Sequence, residues 1–178
     1  DLNPVRAGAA QSLEESEFTS VCDRIRGCQG RLELAVLERN NVIEEQATPA
    51  QEALIAGARE RARADEWLSA MPENEGAQGA EDNLIGMKFG EYVELLRWTG
   101  EQIREGKKAS LPPELCPLVG RLELNAEKWV GTVRGYGSLF YRIAGRAESL
   151  VAAARVAGQK WFRGLNAGLE VFTPRQAA

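Results

Sequence analysis

The sequence contains no histidine among its 178 residues. Histidines are frequent ligands of catalytic zinc, and one histidine is the base of a Ser-His-Asp or Cys-His centre. A two-histidine metal site and both kinds of nucleophilic centre are therefore excluded from this chain. No apolar run approaches the roughly 18 residues that a membrane-spanning helix needs, so no transmembrane segment is expected.

Cysteine is also scarce. The three thiols belong to Cys22, Cys28 and Cys116, an odd number with no CxxC spacing. Such a set does not form a disulfide framework or a zinc site. It predicts reduced, buried thiols in a cytoplasmic protein.

Nucleotide-binding and hydrolase motifs are missing as well. The sequence has no GxxxxGK[ST], no GxGxxG after a strand, no HExxH and no GxSxG. These absences leave binding, rather than catalysis, as the function to look for in this chain.

Charge is distributed unevenly along the sequence. Residues 1–84 hold 8 basic and 17 acidic side chains, whereas residues 85–178 hold 14 basic and 9 acidic ones. The second half therefore carries a net charge of +5 against −9 for the first. This asymmetry is typical of a chain with a nucleic-acid-facing half, although a solvated helical surface of uneven charge would give the same numbers.

A first helix is predicted from Ser12, where Ser12 and Glu15 form a capping box. Apolar residues follow at spacings of three and four, which predicts one buried helix face with Phe18 as a packing anchor. Gly27 and Gly30 are expected to end this helix near residue 26.

A second helix is predicted from Thr48 to Met71, because Thr48, Pro49 and Gln51 each occupy a favoured position of a helix start. Residues 31–47, before it, are predicted to be irregular or partly helical. The predicted apolar stripe of the second helix comprises Leu54, Ala58, Ala62, Trp67 and Leu68.

The second half predicts short helices joined by Gly and Pro turns, with no substantial sheet, so the fold class is mainly α. The expected helices cover residues 84–105, 113–122, 126–134, 138–144 and 147–158, followed by packing of Trp161 and Phe162. Trp129, Val130 and Val133 are expected to be buried.

The first eight residues, DLNPVRAG, are typical of a segment that follows the end of a helix. Pro4 disfavours helical backbone at Asn3, and Gly8 tolerates positive φ. The helix itself is expected to lie upstream of Asp1, so the chain is expected to be the end of a longer protein.

Residues 3–8 resemble the NPV[RK]AG signature of small tyrosine transposases of the REP-associated and insertion-sequence type, which carry a His-hydrophobic-His motif. The continuation SLEESEFTSVCDRI resembles the acidic segment that follows this signature, so the close match covers residues 1–27. A recurring motif of the helical C-terminal extension of such proteins is also matched, by Tyr92, Leu95, Trp98, Thr99, Gly100, Gln102, Ile103 and Arg104.

The resemblance implies an α/β catalytic domain in the parent, absent from this chain, with paired histidines on a divalent cation such as Mg²⁺. It places a nucleophilic tyrosine two residues before Asp1, which cleaves and joins DNA strands through a phosphotyrosine. It implies single-stranded or hairpin DNA as partner and a homodimer formed through the missing domain. No catalytic residue, metal ligand or cofactor is therefore expected in this chain, which by itself is not expected to be an enzyme.

The resemblance and the composition together predict a division into segments. These are 1–30, the C-terminal edge of a transposase catalytic domain; 31–71, a connecting helical segment; 72–84, an acidic linker; 85–165, a helical C-terminal extension; and 166–178, a flexible tail.

Five basic residues are predicted to contact nucleic acid: Arg6, Lys107, Lys108, Arg142 and Arg146. Arg6 follows the helix that would carry the tyrosine, although pairing with a carboxylate or with helix carbonyls is an equal alternative. The lysines end a helix and would meet phosphate. Arg142 and Arg146, with Arg155 and Lys160, would face a duplex if residues 125–158 form a helix-turn-helix, but no sequence feature selects a recognition helix.

The sequence thus predicts the C-terminal portion of a transposase-like protein whose parent carries out DNA transposition. Two other functions stay open: a non-catalytic helical interaction module or decayed transposon remnant, and a regulator that binds DNA without cutting it. Arg59, Arg61 and Arg63 alternate with acidic residues and are interpreted as a salt-bridged solvent face.

Overall fold

The computed structural model describes residues 10–40, 47–69, 71–72, 87–105, 111–141 and 143–172. These residues are mainly helical and contain no strand, which confirms the predicted fold class. The helices are α1 (Ser20–Arg39), α2 (Pro49–Ala62), α3 (Phe89–Glu105), a 3-10 turn (Pro113–Leu115), α4 (Cys116–Arg121), α5 (Ala126–Arg134), α6 (Tyr136–Leu139), α7 (Ala147–Val156) and α8 (Leu165–Val171). No helix in these ranges combines the length and apolar character needed to cross a membrane.

The chain divides into two compact units, Asp1–Arg97 and Trp98–Ala178, and the division falls within α3. Most of the predicted linker, 72–84, lies outside the described residues, and the predicted segment boundaries stay predictions. The two units are described in turn.

In the first unit, α1 begins eight residues later than predicted. The Glu15 amide does donate to Ser12 Oγ at 3.3 Å, but residues 11–18 form turns rather than a helix. Phe18 adopts a left-handed φ of 61°, and the extended Thr19 after it caps α1 by accepting from the Cys22 amide. Phe18 is 97% exposed, so it is not a packing anchor within the described chain.

Helix α1 continues to Arg39, so the predicted end near residue 26 is wrong. Residues 31–39 are helical, in line with the partly helical alternative predicted for 31–47, and residues 41–46 lie outside the described residues. Gly27 and Gly30 do not break the helix: α2 approaches it at Gly30, and the Asp65 side chain, after α2, lies against Gly27. A Cβ atom at Gly30 would lie 2.6 Å from the Ala58 carbonyl oxygen and closer still to the Ala62 amide nitrogen. Gly30 therefore serves close helix–helix packing, a use of glycine that local sequence patterns do not distinguish from chain breaking.

Helix α2 begins as predicted and ends early. The Thr48 amide donates to Gln51 Oε1 at 2.8 Å, and the Gln51 amide donates back to Thr48 Oγ1 at 3.4 Å, which confirms the capping box. The helix stops at Ala62 rather than Met71. Ile55 and Ala58 are its buried residues, whereas Leu54 and Trp67 are 58% and 69% exposed, contrary to the predicted stripe.

Arginines join α1 to α2 and to the turns after α2. Arg31 donates to both carboxylate oxygens of Asp65, at 2.9 and 3.2 Å. Arg61 pairs with Glu33, with Nε 3.1 Å from the carboxylate. The interpretation of Arg61 as part of a salt-bridged face is confirmed. This pair of helices, α1 and α2, is called the hairpin below.

In the second unit, hydrogen bonds connect the C-terminal part of α3 to α5. Thr99 is fully buried and accepts from Trp129 Nε1 at 2.9 Å. Arg134 donates to the Gln102 carbonyl at 3.2 Å. Asn125 caps α5 as predicted, accepting from the Lys128 amide at 3.1 Å. Trp129 is half-buried rather than fully buried, as are Val130 and Val133.

The end of the second unit is more ordered than the sequence suggests. The predicted helix 138–144 is replaced by the four-residue α6, which ends at Leu139. Helix α8 occupies residues predicted to be a frayed tail, so that part of the prediction is wrong. Val171 is 1% exposed, and its carbonyl accepts from the Asn125 amide at 2.6 Å, which fixes α8 to the start of α5.

Candidate nucleic-acid interface

Most of the predicted DNA-contacting residues lie outside the described residues. This applies to Arg6, Lys107, Lys108 and Arg142, and their assignment stays a prediction. Arg146 is described and lies in the second unit, at the start of α7.

Arg146 is held by three groups. Its guanidinium donates to Glu123 Oε2 at 2.5 Å and to the Leu122 carbonyl at 2.7 Å. It also lies over the ring of Phe172, 5.1 Å from the centroid. A phosphate would have to compete with the Glu123 carboxylate for this side chain, which is 32% exposed.

The backbone explains why Glu123 stands beside Arg146. Helix α4 ends in a Schellman motif, in which the Leu124 amide donates to Val119 and the Glu123 amide donates to Gly120. Glu123 occupies the left-handed position of this motif, with φ 52°, where glycine is the usual residue. A carboxylate is thereby presented to Arg146 at the expense of backbone strain.

A different set of cations lies further along the second unit. Arg155, Lys160 and Arg163 are exposed, and no Asp or Glu occurs from residue 149 to residue 169. Within the part of the chain that the structure describes, none of the three forms an ion pair or a side-chain hydrogen bond. Together with the exposed Trp161 they are called the basic surface.

Two glycines fix the backbone that carries the basic surface. Gly158 has φ 64° and ends α7 in a second Schellman motif, in which the Gln159 amide donates to the Ala154 carbonyl at 2.8 Å. Gly164 has φ 116° and precedes α8. A Cβ atom at Gly164 would enter the buried ring of Phe140, within 2.6 Å of Cε1. Gly164 therefore requires glycine, whereas the left-handed backbone at Gly158 favours it.

Within that segment the side chains differ in exposure. Lys160, Trp161 and Arg163 point into solvent, whereas Phe162 is half-buried. Trp161 is 66% exposed, so the prediction that it packs with Phe162 is wrong for Trp161.

Sequence reasoning considered Arg155 and Lys160 for a duplex but did not single out Arg163 or the indole of Trp161. The signal that could have found them is the 21-residue absence of acidic residues at positions 149–169. A basic residue with no acidic residue nearby in the sequence has fewer candidate ion-pair partners within the fold.

The first unit contains a groove. It has a volume of about 330 Å³ and an apolar floor that includes Ile25, Cys28 and Val93. At its rim Arg97 donates to Glu14 at 2.7 Å. This hydrogen bond holds the pKa of the Glu14 carboxyl below its ordinary value and raises the pKa of Arg97.

The thiols do not form a reactive centre in this unit. Cys22 is buried, and burial raises the pKa of its thiol, which keeps it protonated. Cys28 is half-buried, and in the second unit Cys116 is exposed, so the prediction of three buried thiols holds only for Cys22. All three are free. No cluster of Cys, Asp and Glu in the described ranges has the arrangement of a metal site.

Comparison of the chain with known protein families, curated proteins and solved structures finds no match. The function is therefore argued from the residues and the geometry above.

Proposed function

We propose that this chain is the C-terminal, DNA-contacting portion of a transposase-like protein and is not catalytic by itself. The NPVRAG run at residues 3–8 supports the transposase-like parent. The basic surface supports DNA contact, because Arg155, Lys160 and Arg163 are exposed and form no ion pair among the described residues, so their charge can meet phosphates. The exposure of these three cations is the observation on which the proposal of DNA contact mainly rests.

The physical basis is counterion release. A duplex or single strand concentrates cations along its phosphates, and a protein cation that replaces them gains free energy that falls with salt. An arginine already bound to a carboxylate gains less, since it must first give up its partner. The cations of the basic surface, which form no ion pair among the described residues, are thus the preferred phosphate contacts. Arg146 is a weaker candidate, because it is paired with Glu123.

The chemistry of strand transfer belongs to the parent. This sequence has no histidine, so it does not supply the paired ligands of the divalent cation that the resemblance implies. No step of cleavage is assigned to the residues of this chain. The cytoplasmic location, the homodimer and the preference for single-stranded or hairpin DNA are part of the same proposal.

DNA contact is tested by fluorescence anisotropy of a labelled hairpin oligonucleotide between 50 and 200 mM salt. The triple variant Arg155→Gln, Lys160→Gln, Arg163→Gln should bind more weakly. The slope of log affinity against log salt should fall by about 2, since each single-strand phosphate contact contributes about 0.7.

The matched control removes three exposed arginines of the first unit, Arg39→Gln, Arg59→Gln and Arg63→Gln, and so changes the net charge equally. It should leave the salt slope close to that of the wild type. Equal weakening in both triple variants would show an effect of net charge alone and contradict the proposal, as would wild-type binding that does not vary with salt.

The transposase-like parent is tested in the coding DNA upstream of Asp1. An in-frame tyrosine two residues before Asp1, with a His-x-His further upstream, is the expected result. In that full-length protein Arg6→Ala should weaken DNA cleavage. A stop codon or an unrelated sequence upstream would leave a helical interaction module or a transposon remnant as the function.

A further inference from the structure

The indole of Trp161 is an exposed apolar group of the second unit. It is 66% exposed, whereas Trp98 in the same unit is 6% exposed and Trp129 donates its Nε1 hydrogen to Thr99. Neither burial nor a hydrogen bond within the described residues explains why a tryptophan stands at position 161. The backbone and the charged residues next to Trp161 therefore indicate what class of ligand it binds.

The backbone around Trp161 presents the indole outward. The left-handed glycines at 158 and 164 bracket a five-residue segment, residues 159–163. Phe162, the next residue, is half-buried. An aromatic ring on a defined backbone loses little conformational entropy on binding, which favours its use as a contact surface.

The charge next to the indole is of one sign. Lys160 precedes it, Arg163 follows two residues later, and Arg155 lies in the last turn of α7. An apolar partner or a cation would not use this charge. A ligand that offers a flat π surface and an anion every few ångströms would use all of it, and single-stranded nucleic acid has this pattern.

We infer that Trp161 is a base-stacking residue for single-stranded nucleic acid, with Lys160 and Arg163 on the phosphates to either side of the stacked base. The inference rests on the proposed function and assigns a specificity to the same basic surface. In a duplex the faces of the bases are covered by their neighbours, so the indole has no face to stack on. The cations contact both forms, and the indole distinguishes them.

The experiment compares a labelled 20-nucleotide oligo-dT with a blunt 20-base-pair duplex, using the full chain. Trp161→Ala should weaken binding to oligo-dT about tenfold, the usual effect of losing one stacked base, and should leave binding to the duplex within about twofold. Trp161→Phe, which keeps an aromatic face, should recover most of the lost affinity.

Trp67→Ala is the matched control, because Trp67 is 69% exposed and belongs to the first unit. It should leave binding to both oligonucleotides unchanged. Circular dichroism should show the same helix content in all three variants, since neither indole is buried.

The outcomes separate this inference from the proposed function. If the triple cation variant loses affinity for both oligonucleotides while Trp161→Ala changes neither, DNA contact stands and base stacking is refuted. If Trp161→Ala weakens both forms equally, or Trp161→Phe recovers nothing, the indole does not read single strands and the inference is overturned. If the wild type binds neither form but binds vesicles containing an anionic lipid, the surface is a membrane contact, and the proposed function fails as well.

Discussion

The hairpin of the first unit and the basic surface of the second unit use cations in opposite ways. In the hairpin, Arg31 and Arg61 are bound to carboxylates of the facing segment. On the basic surface, Arg155, Lys160 and Arg163 have no such partners among the described residues. The same residue types are structural in one region and available to a ligand in the other.

The difference arises from the neighbouring sequence. The hairpin lies in the half of the chain with 17 acidic residues, and the close approach of the two helices at Gly30 brings opposite charges within hydrogen-bond distance. Residues 149–169 contain no acid at all. The number of charges alone would make every arginine an equal candidate for DNA contact. The ion pairs show which arginines lack a carboxylate partner among the described residues.

The largest effect is expected from Gly30→Ala, which removes the close approach on which the pairing in the hairpin depends. The new Cβ would meet backbone atoms of α2, which do not rotate away. The free energy of unfolding should fall by about 1–3 kcal/mol, the usual cost of overpacking, as measured by urea denaturation.

Gly131→Ala is the control for this prediction, since a Cβ atom there has nothing within 4 Å and the residue lies inside α5. It should stabilise the protein by about 0.5–1 kcal/mol, because alanine restricts the unfolded chain. Stabilisation of similar size by Gly30→Ala would mean that the helices do not approach as closely as described.

The next prediction concerns the paired arginine of the second unit, and its expected effect is on DNA binding rather than on stability. Glu123→Gly removes the partner of Arg146 and also relieves the left-handed φ of 52°. We expect a small change in stability and a steeper salt dependence of single-strand binding, by about 0.7 in slope, as one further cation becomes available. An unchanged slope would show that Arg146 does not reach the nucleic acid.

Phe18→Gly measures the free-energy cost of the left-handed backbone alone, for comparison with Glu123→Gly. Phe18 has a φ of 61° and is almost fully exposed, so its replacement relieves strain without removing a packed side chain. The expected gain is about 1 kcal/mol in the free energy of unfolding. Glu123→Gly should gain less than this, because it also loses an ion pair, and an equal gain would indicate that the pair contributes no stability.

A smaller effect is expected from Asp65→Asn, which leaves Arg31 without its carboxylate. The loss should be about 0.5–1 kcal/mol, since Arg31 is half exposed and exposed pairs contribute little. Glu66→Gln, an exposed acid of the same turn, is the control and should change stability by less. If the two variants have the same urea midpoint, the bidentate pair does not hold the hairpin together.

The smallest effect is the pH dependence of the Glu14–Arg97 pair. Arg97 lowers the pKa of Glu14 in the folded state, so the pair stabilises the fold fully above the ordinary value of 4.5 and is lost as pH falls below it. Both side chains are 40% or more exposed, so solvent screening limits the effect to under about 1 kcal/mol. Glu14→Gln should reduce the loss of stability between pH 7 and pH 3, and an unchanged loss would refute the contribution of the pair.

Local sequence patterns predicted the elements that depend on neighbouring residues. The capping boxes and Asn125 cap are side-chain to backbone hydrogen bonds within three residues, and Thr48 and Asn125 start their helices as expected. The mainly α fold follows from the same patterns. Phe18 shows the limit, because a single left-handed residue displaced the start of α1 and no pattern marked it.

What the sequence determined by itself is the set of exclusions and the charge: no histidine chemistry, mainly helical elements, and a basic half with an acid-free stretch. What only the tertiary structure decided is the role of individual residues. Gly30 could have ended a helix, but it allows α2 to approach it. Trp161 could have been core, but it is exposed, next to cations that form no ion pair among the described residues. The reason is physical: a helix cap is formed by residues adjacent in the chain, whereas burial and ion pairing depend on which distant segments the fold brings into contact.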